Sequence, residues 1–187
     1  MENELNNSFS TQENSIYSNS SDCTIPLDSK ILEGIIKILN KLINKNKHLS
    51  NYQKLILKQD KSIFSQNQIP EISLEKYLNR IKKYTEIENN TLIISLIYID
   101  RLFQESNLIL TAFNVHRILF ASILLALKYN EDLIYEFYYY SKIAGISAKE
   151  LSKLENEFVH LIDFNLFIEK NEFITYKEFL INTIQDY

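Results

Sequence analysis

Four charged side chains stand against apolar surroundings in this chain, and they are where chemistry or recognition is expected. Arg80 lies beside Ile81, Asp100 is embedded in I-Y-I-D-R-L-F, Lys128 closes the run A-L-K-Y, and Glu155 borders a stripe containing Leu151 and Ile162. A lone charge on a nearly all-apolar helix costs several kcal/mol or gives up its charge, so Asp100 is expected to be paired. Arg80 is the natural partner, because a guanidinium can grip a carboxylate through two parallel bonds. The predicted Arg80–Asp100 pair is structural and holds two helices in register. Lys128 and Glu155 differ from it. At 100° per residue, Arg117, Ala121, Leu124 and Lys128 fall along one helical ridge. A lysine in a last turn complements unpaired carbonyls, so periodicity alone leaves Lys128 and Glu155 open between a structural role and a binding role.

Catalytic constellations are not visible. His48, His116 and His160 are scattered and place no two ligands on one helical face, so no metal site is expected. The single cysteine, Cys23, sits in a polar segment without a positioned partner and leaves no intrachain disulfide or cysteine cluster. With only Gly34 and Gly145 in the chain, neither a phosphate-binding loop, a dinucleotide fingerprint nor a nucleophile elbow can be spelled, and no cofactor is expected. Glu86, Glu88, Glu131 and Asp132 fall at predicted helix ends or in loops, where a carboxylate ordinarily serves the helix dipole or solvation. The tyrosines at 135, 138, 139 and 140 lack the interleaved Lys and Arg of a base-stacking platform and are expected to form a half-buried wall. The expectation is a chain that catalyses nothing itself.

The elements that must position these residues follow from composition and period. The 187 residues suit one domain with flanking segments; two glycines and two prolines leave long uninterrupted stretches for helix. A net charge of -4 argues against a nucleic-acid or anionic-membrane partner. The longest apolar run, Ile118 to Leu127, is about half of what a bilayer requires, and the N-terminus has no basic and apolar leader. An intracellular protein, nuclear or cytoplasmic, is expected. Residues 1–27 are rich in Asn, Ser, Glu and Gln and read as a disordered polar tail. Residues 28–45, with Asp28 or Ser29 as cap, read as an amphipathic helix, and 46–69 as a linker in which Leu55, Ile56 and Leu57 offer an anchor.

Residues 70–170 form the predicted main domain, all-α, with five helices over about 71–84, 88–104, 112–129, 134–143 and from 148 onward. The second and third are apolar nearly all round and belong in the middle of a bundle. Thr111 is the expected N-cap of the third, Gly145 the C′ glycine of the fourth, and Ser147-Ala-Lys-Glu150 a capping box for the fifth. Leu151, Leu154, Phe158, Leu161 and Ile162 make the fifth helix's core face. The tail 171–187 adds a short helix through Phe173, Tyr176, Phe179 and Leu180, and is too short for a second five-helix unit.

The ordered set Y-L-N-R-I, Y-I-D-R-L, N-V-H-R, A-L-K-Y, G-I-S and L-E-N-E-F, spanning about Glu71 to Ile168, resembles the cyclin box, and within it the single-box P-type (U-type) cyclins. Two positions depart from that pattern: Ala144 stands where P-type cyclins often carry a first glycine, and Asn130, Glu131 and Asp132 replace a more aspartate-rich cluster. The resemblance implies a regulatory subunit that binds and activates a cyclin-dependent protein kinase, with Lys128 and Glu155 reaching the kinase and Arg80 and Asp100 as the internal pair. It also implies an interface centred on the outer face of the third helix and on the fifth. The alternative is a cyclin-fold adaptor that binds another protein without activating a kinase.

Overall fold

The computed structural model describes residues 27–48 and 62–185; the polar tail before Leu27 and the Leu55–Leu57 anchor lie outside them. Seven α-helices make up the described fold: α1 (Leu27–Lys47), α2 (Leu74–Thr85), α3 (Asn89–Glu105), α4 (Val115–Asn130), α5 (Phe137–Ala144), α6 (Ala148–Leu161) and α7 (Lys170–Gln185). There is no strand among the described residues. The fold is all-α, as the periodicity and the scarcity of chain-breakers predict.

α4 is the axis of the bundle. His116 and every residue from Ile118 to Leu127 are buried, which is why the helix is apolar on all sides. It packs most extensively on α3, itself buried at nine positions, and on α6. α2 covers one flank with Tyr77, Leu78 and Ile81, and α5 fills the gap between α2 and α6. α1 buries Ile31, Ile35, Leu39 and Ile43, one residue per turn, and these join the same core as the five central helices. The C-terminal helix is longer than the sequence suggests, at 16 residues, and lies across α1 and α3 with Leu180 buried.

The segment 62–69 is docked on the bundle. Phe64 is fully buried against Phe158, ring centroids 6.2 Å apart and edge-on, and the Gln66 amide donates to the Phe113 carbonyl. Helix ends explain several local departures. α4 begins at Val115, with Asn114 and not Thr111 in the cap position; the Asn114 carboxamide oxygen accepts from the Thr111 amide, so it ties down the approach to the helix. α5 begins at Phe137, three residues after the predicted start at 134, leaving Ile134, Tyr135 and Glu136 outside it. Gly145 ends α5 at φ 75°, the left-handed conformation expected of a C-terminal glycine. Ser147 caps α6 by accepting from the Glu150 amide, but the Glu150 side chain does not return to Ser147; it leaves the cap to pair with Arg117. The capping box is therefore half made.

Candidate functional site

Lys128 and Glu155 meet. Lys128 Nζ lies 2.6 Å from Glu155 Oε1, joining the last turn of α4 to the middle of α6. The same ammonium stands 4.8 Å from the centre of the Phe137 ring at the start of α5, so three helices converge on it. Glu155 is the more enclosed partner, 14% exposed against 35% for Lys128. At the other end of the α4–α6 contact, Arg117 forms a second ion pair with Glu150 and donates to the carbonyls of Ile63 and Ser65, both at 2.9 Å. On α6 the two pairs bracket the buried Leu151 and Leu154, with Phe158 buried one turn beyond, which fixes where Lys128 and Glu155 stand. Sequence reasoning placed Arg117 and Lys128 on one ridge but missed the second pair. The ridge that carries Lys128 to α6 also carries Arg117 there, and that signal was available.

The surface next to the Lys128–Glu155 pair is apolar and open. Leu133 is 91% exposed, and Tyr129, Ile134, Tyr135 and Tyr138 stand exposed around it on the end of α4, the α4–α5 connection and α5. Among single exposed apolar residues such values are ordinary, but several in one short segment make a patch of the kind that marks an interaction surface. The expected interface centre moves accordingly: α4 from Ile118 to Leu127 is wholly buried and offers no apolar outer face, so the exposed apolar atoms come from residues 129–138. The tyrosine wall is only partly a wall. Tyr140 is buried and its hydroxyl accepts from the Tyr135 amide, whereas Tyr138 points outward with Lys142 Nζ 4.8 Å from its ring centre.

Arg80 and Asp100 do not pair. Arg80 turns to the other side of α2, where Nη2 donates to the Ile143 carbonyl and the guanidinium carbon lies 5.3 Å from the Tyr77 ring centre. Asp100 instead accepts from Gln104 Nε2 at 2.8 Å, one turn further along α3, and from the Tyr176 hydroxyl of α7. The expectation that Asp100 needs a partner holds, but α7 supplies it. Asp100 is only half-buried, so two neutral donors suffice where a deeply buried carboxylate would call for a cation. Burial, followed by that bond to Asp100, pushes the Tyr176 hydroxyl well above the ordinary tyrosine range and keeps it a donor.

The histidines stay apart. His116 is buried at the start of α4, its Nε2 3.0 Å from the Ile72 carbonyl and its ring edge-on to Tyr77. Burial lowers its pKa, so the ring is neutral near pH 7 and Nε2 carries the proton that the carbonyl accepts. His160 is exposed on α6 against Phe164, and His48 is exposed just beyond α1. Cys23 lies outside the described residues. Among the described residues no three His, Cys, Asp or Glu side chains converge as metal ligands, and no helix is long and apolar enough to cross a membrane.

A bundle in which α2, α3, α5 and α6 surround a buried central α4 is the five-helix arrangement the quoted motifs imply. The cyclin family model matches residues 28–166. The chain belongs to the cyclin family. Its relatives include Cyclin-P3-1 of Oryza sativa subsp. japonica, 30% identical over 147 residues covering 79% of this chain and 61% of that protein. Cyclin-U4-1 of Arabidopsis thaliana is 31% identical over 153 residues, covering 80% of this chain and 76% of that protein. The PHO85 cyclin-like protein psl1 of Schizosaccharomyces pombe is 37% identical over 122 residues, covering 64% and 50%. This cyclin thus has P-type and U-type relatives, and it spans about three fifths of the length of the rice protein. The family match begins at residue 28, so it includes α1, in keeping with that helix's share of the core.

Proposed function

We propose that this cyclin binds and activates a cyclin-dependent protein kinase through the face formed by Lys128, Glu155 and the apolar residues 129–138. The observation that carries the reading is the Lys128–Glu155 pair at 2.6 Å, held at the rim of an exposed patch containing Leu133, Ile134 and Tyr138. The family membership and the name of the fission-yeast relative support a kinase of the cyclin-dependent class as partner.

The chemistry stays in the kinase. A kinase that favours a conformation with its activating helix displaced leaves its Lys–Glu ion pair unmade. A cyclin that binds the assembled conformation selectively moves the equilibrium. A swing from about 1:99 to 99:1 takes roughly 5.5 kcal/mol of differential affinity. Apolar burial at a patch of large side chains supplies the bulk of such a difference, while Lys128 and Glu155 fix orientation through charge-assisted bonds.

The test is affinity capture of the full chain from its native cell extract, followed by kinase assay. A kinase catalytic subunit recovered in stoichiometric amount, with activity dependent on the added cyclin, is the expected result. Lys128→Ala combined with Glu155→Ala should abolish both; wild-type binding and activation by the double variant would overturn the assignment of this face. A kinase that binds without gaining activity, or recovery of non-kinase partners only, would point to the adaptor reading.

A further inference from the structure

Asp100 lines a half-open groove of about 400 Å³ that α1, α3 and α7 leave between them. Leu96 and Ile99 of α3 are its buried residues, α1 contributes Ile38 and Leu42, and the exposed Phe179 of α7 stands at the rim. The lining carries one charge, that of Asp100, and no cation. Two neutral donors reach this carboxylate, Gln104 Nε2 and the Tyr176 hydroxyl, and both bond to Oδ2. Oδ1 takes no bond from any described residue. Arg101, the next residue along α3, is spent on Asn165 and Glu172. Thr175 also lines the groove, but its hydroxyl donates to the Asn171 carbonyl within α7. Asp100 is therefore the acceptor with capacity left for a ligand. An occupant that covers a carboxylate without bringing the opposite charge strips its water and returns nothing.

We propose that this groove binds a small amphiphilic amine, with a protonated nitrogen on Asp100 and a hydrocarbon or aromatic body against Leu96, Ile99 and Phe179. Its volume falls in the range of clefts that hold small molecules, about 300–1,000 Å³, and such clefts often lie between the helices of a bundle. A bond from an ammonium to a carboxylate is charge-assisted and about twice as strong as a neutral one. Phe103, Tyr176 and Phe179 add three aromatic rings to the lining, and such rings take apolar contacts and attract a cation to their faces. The volume also favours a small molecule over a partner's helix. One helical turn with its side chains, about 10 Å across and about 5.4 Å long, already fills a space of that size. A ligand seated here touches α1, α3 and α7 at once and stabilises their packing by mass action. The groove includes no residue of the kinase-facing surface, so its test is independent of that reading.

The test uses the full purified chain, labelled at its isoleucine methyl groups and titrated at constant ionic strength with octylammonium, octanol and octanoate. The three probes share one body and differ in charge. The methyl NMR signals of Ile38 and Ile99 and the melting temperature are followed together. The expected result with octylammonium is a saturable shift of both signals and a saturable rise in melting temperature. Octanol should bind at least about tenfold more weakly, and octanoate more weakly still. Asp100→Asn should bring octylammonium to the level of octanol and leave octanol unchanged, because the carboxamide oxygen still accepts from Gln104 and Tyr176. Thr175→Trp, at an exposed position, should fill the groove and weaken octylammonium and octanol alike. Equal binding of octylammonium and octanol, or Ile38 and Ile99 signals that do not move, would overturn the proposal. Both are read on the unsubstituted protein and do not depend on the folding of a variant. A short amphipathic helical peptide of leucine and lysine is titrated in the same way. Binding at least about tenfold tighter than octylammonium at the same two methyl groups would overturn the proposal in favour of a protein partner, and equal or weaker binding supports the small amine.

Discussion

Arg101 Nη2 donates to both carboxylate oxygens of Glu172, at 3.0 and 2.8 Å, and so ties α3 to the first turn of α7. The same guanidinium donates through Nη1 to the Asn165 carbonyl at 2.6 Å, just ahead of α7. With Tyr98 donating to the Leu166 carbonyl at 2.8 Å, the chain leaving α6 is held to α3 at three points, Asn165, Leu166 and Glu172. Burial raises the Tyr98 hydroxyl to about 12, so that donor keeps its proton throughout the physiological range. α7 is in this sense part of the domain.

That latch can be measured. Arg101 is 12% exposed and Glu172 33%, so their bonds are better shielded than those of an ordinary surface pair. Arg101→Met should destabilise the chain by about 1–3 kcal/mol, since several charge-assisted bonds go at once. A double-mutant cycle with Glu172→Gln, read by urea denaturation, isolates the pair; additivity within about 0.3–0.5 kcal/mol would show that the two side chains are not coupled.

The Lys128–Glu155 pair should behave in the opposite way, mattering little to folding and much to binding. Lys128 makes one ion pair where Arg101 makes several charge-assisted bonds, and with its side chain 35% exposed its share in folding is about 0–1 kcal/mol. Lys128→Met should leave the denaturation midpoint nearly unchanged while weakening kinase association at least tenfold, about 1.4 kcal/mol. A variant that loses both in parallel would assign the pair to the fold.

Most of the bundle was legible because its helices obey a 3.6-residue period and the two central ones are apolar on every side. Lys128 and Glu155 were legible as charges bordering apolar stripes. The partners of Asp100 were not. Gln104, four residues on, was within reach of helical geometry, but Tyr176 comes from 76 positions away and only tertiary packing brings it there. Pairing Asp100 with Arg80 assumed that the guanidinium beside Ile81 on the first predicted helix faces the second. Arg80 had a competing acceptor in the Ile143 carbonyl, in the last turn of α5 before Gly145, and a backbone carbonyl leaves no mark in a sequence. Glu150 was misread for a related reason. A capping-box pattern predicts a local bond, and Arg117 offers the same carboxylate a cation instead.

Phe64 tests whether the segment before Pro70 belongs to the core. It is fully buried, edge-on to Phe158 of α6, although apart from Ile63 its neighbours are polar and without period. Phe64→Ala should cost about 3–5 kcal/mol, the range for emptying a large aromatic site in a packed interior. Urea denaturation with circular dichroism detection gives the value. A loss below about 1 kcal/mol would mean that residues 62–69 can leave the bundle without disturbing it.

His116 should make this cyclin less stable in mild acid. Burial is the main cause of its lowered pKa, and the bond to the Ile72 carbonyl opposes the shift only in part. The groups facing the ring give a second positive charge no welcome: Arg80 and Arg117 line one depression with it, and the Tyr77 hydroxyl is held neutral by burial. The sign follows from proton linkage. Below the unfolded histidine value of about 6.5 the unfolded chain takes up a proton that the folded chain resists, so stability is full above that value and declines as pH falls towards the folded pKa. The slope from this one group is at most about 1.4 kcal/mol per pH unit. Denaturation between pH 7.5 and 5 should show that decline in the unsubstituted protein and a flatter profile in His116→Gln. Parallel profiles for the two would mean that the acid sensitivity arises from other groups and that His116 titrates alike in both states.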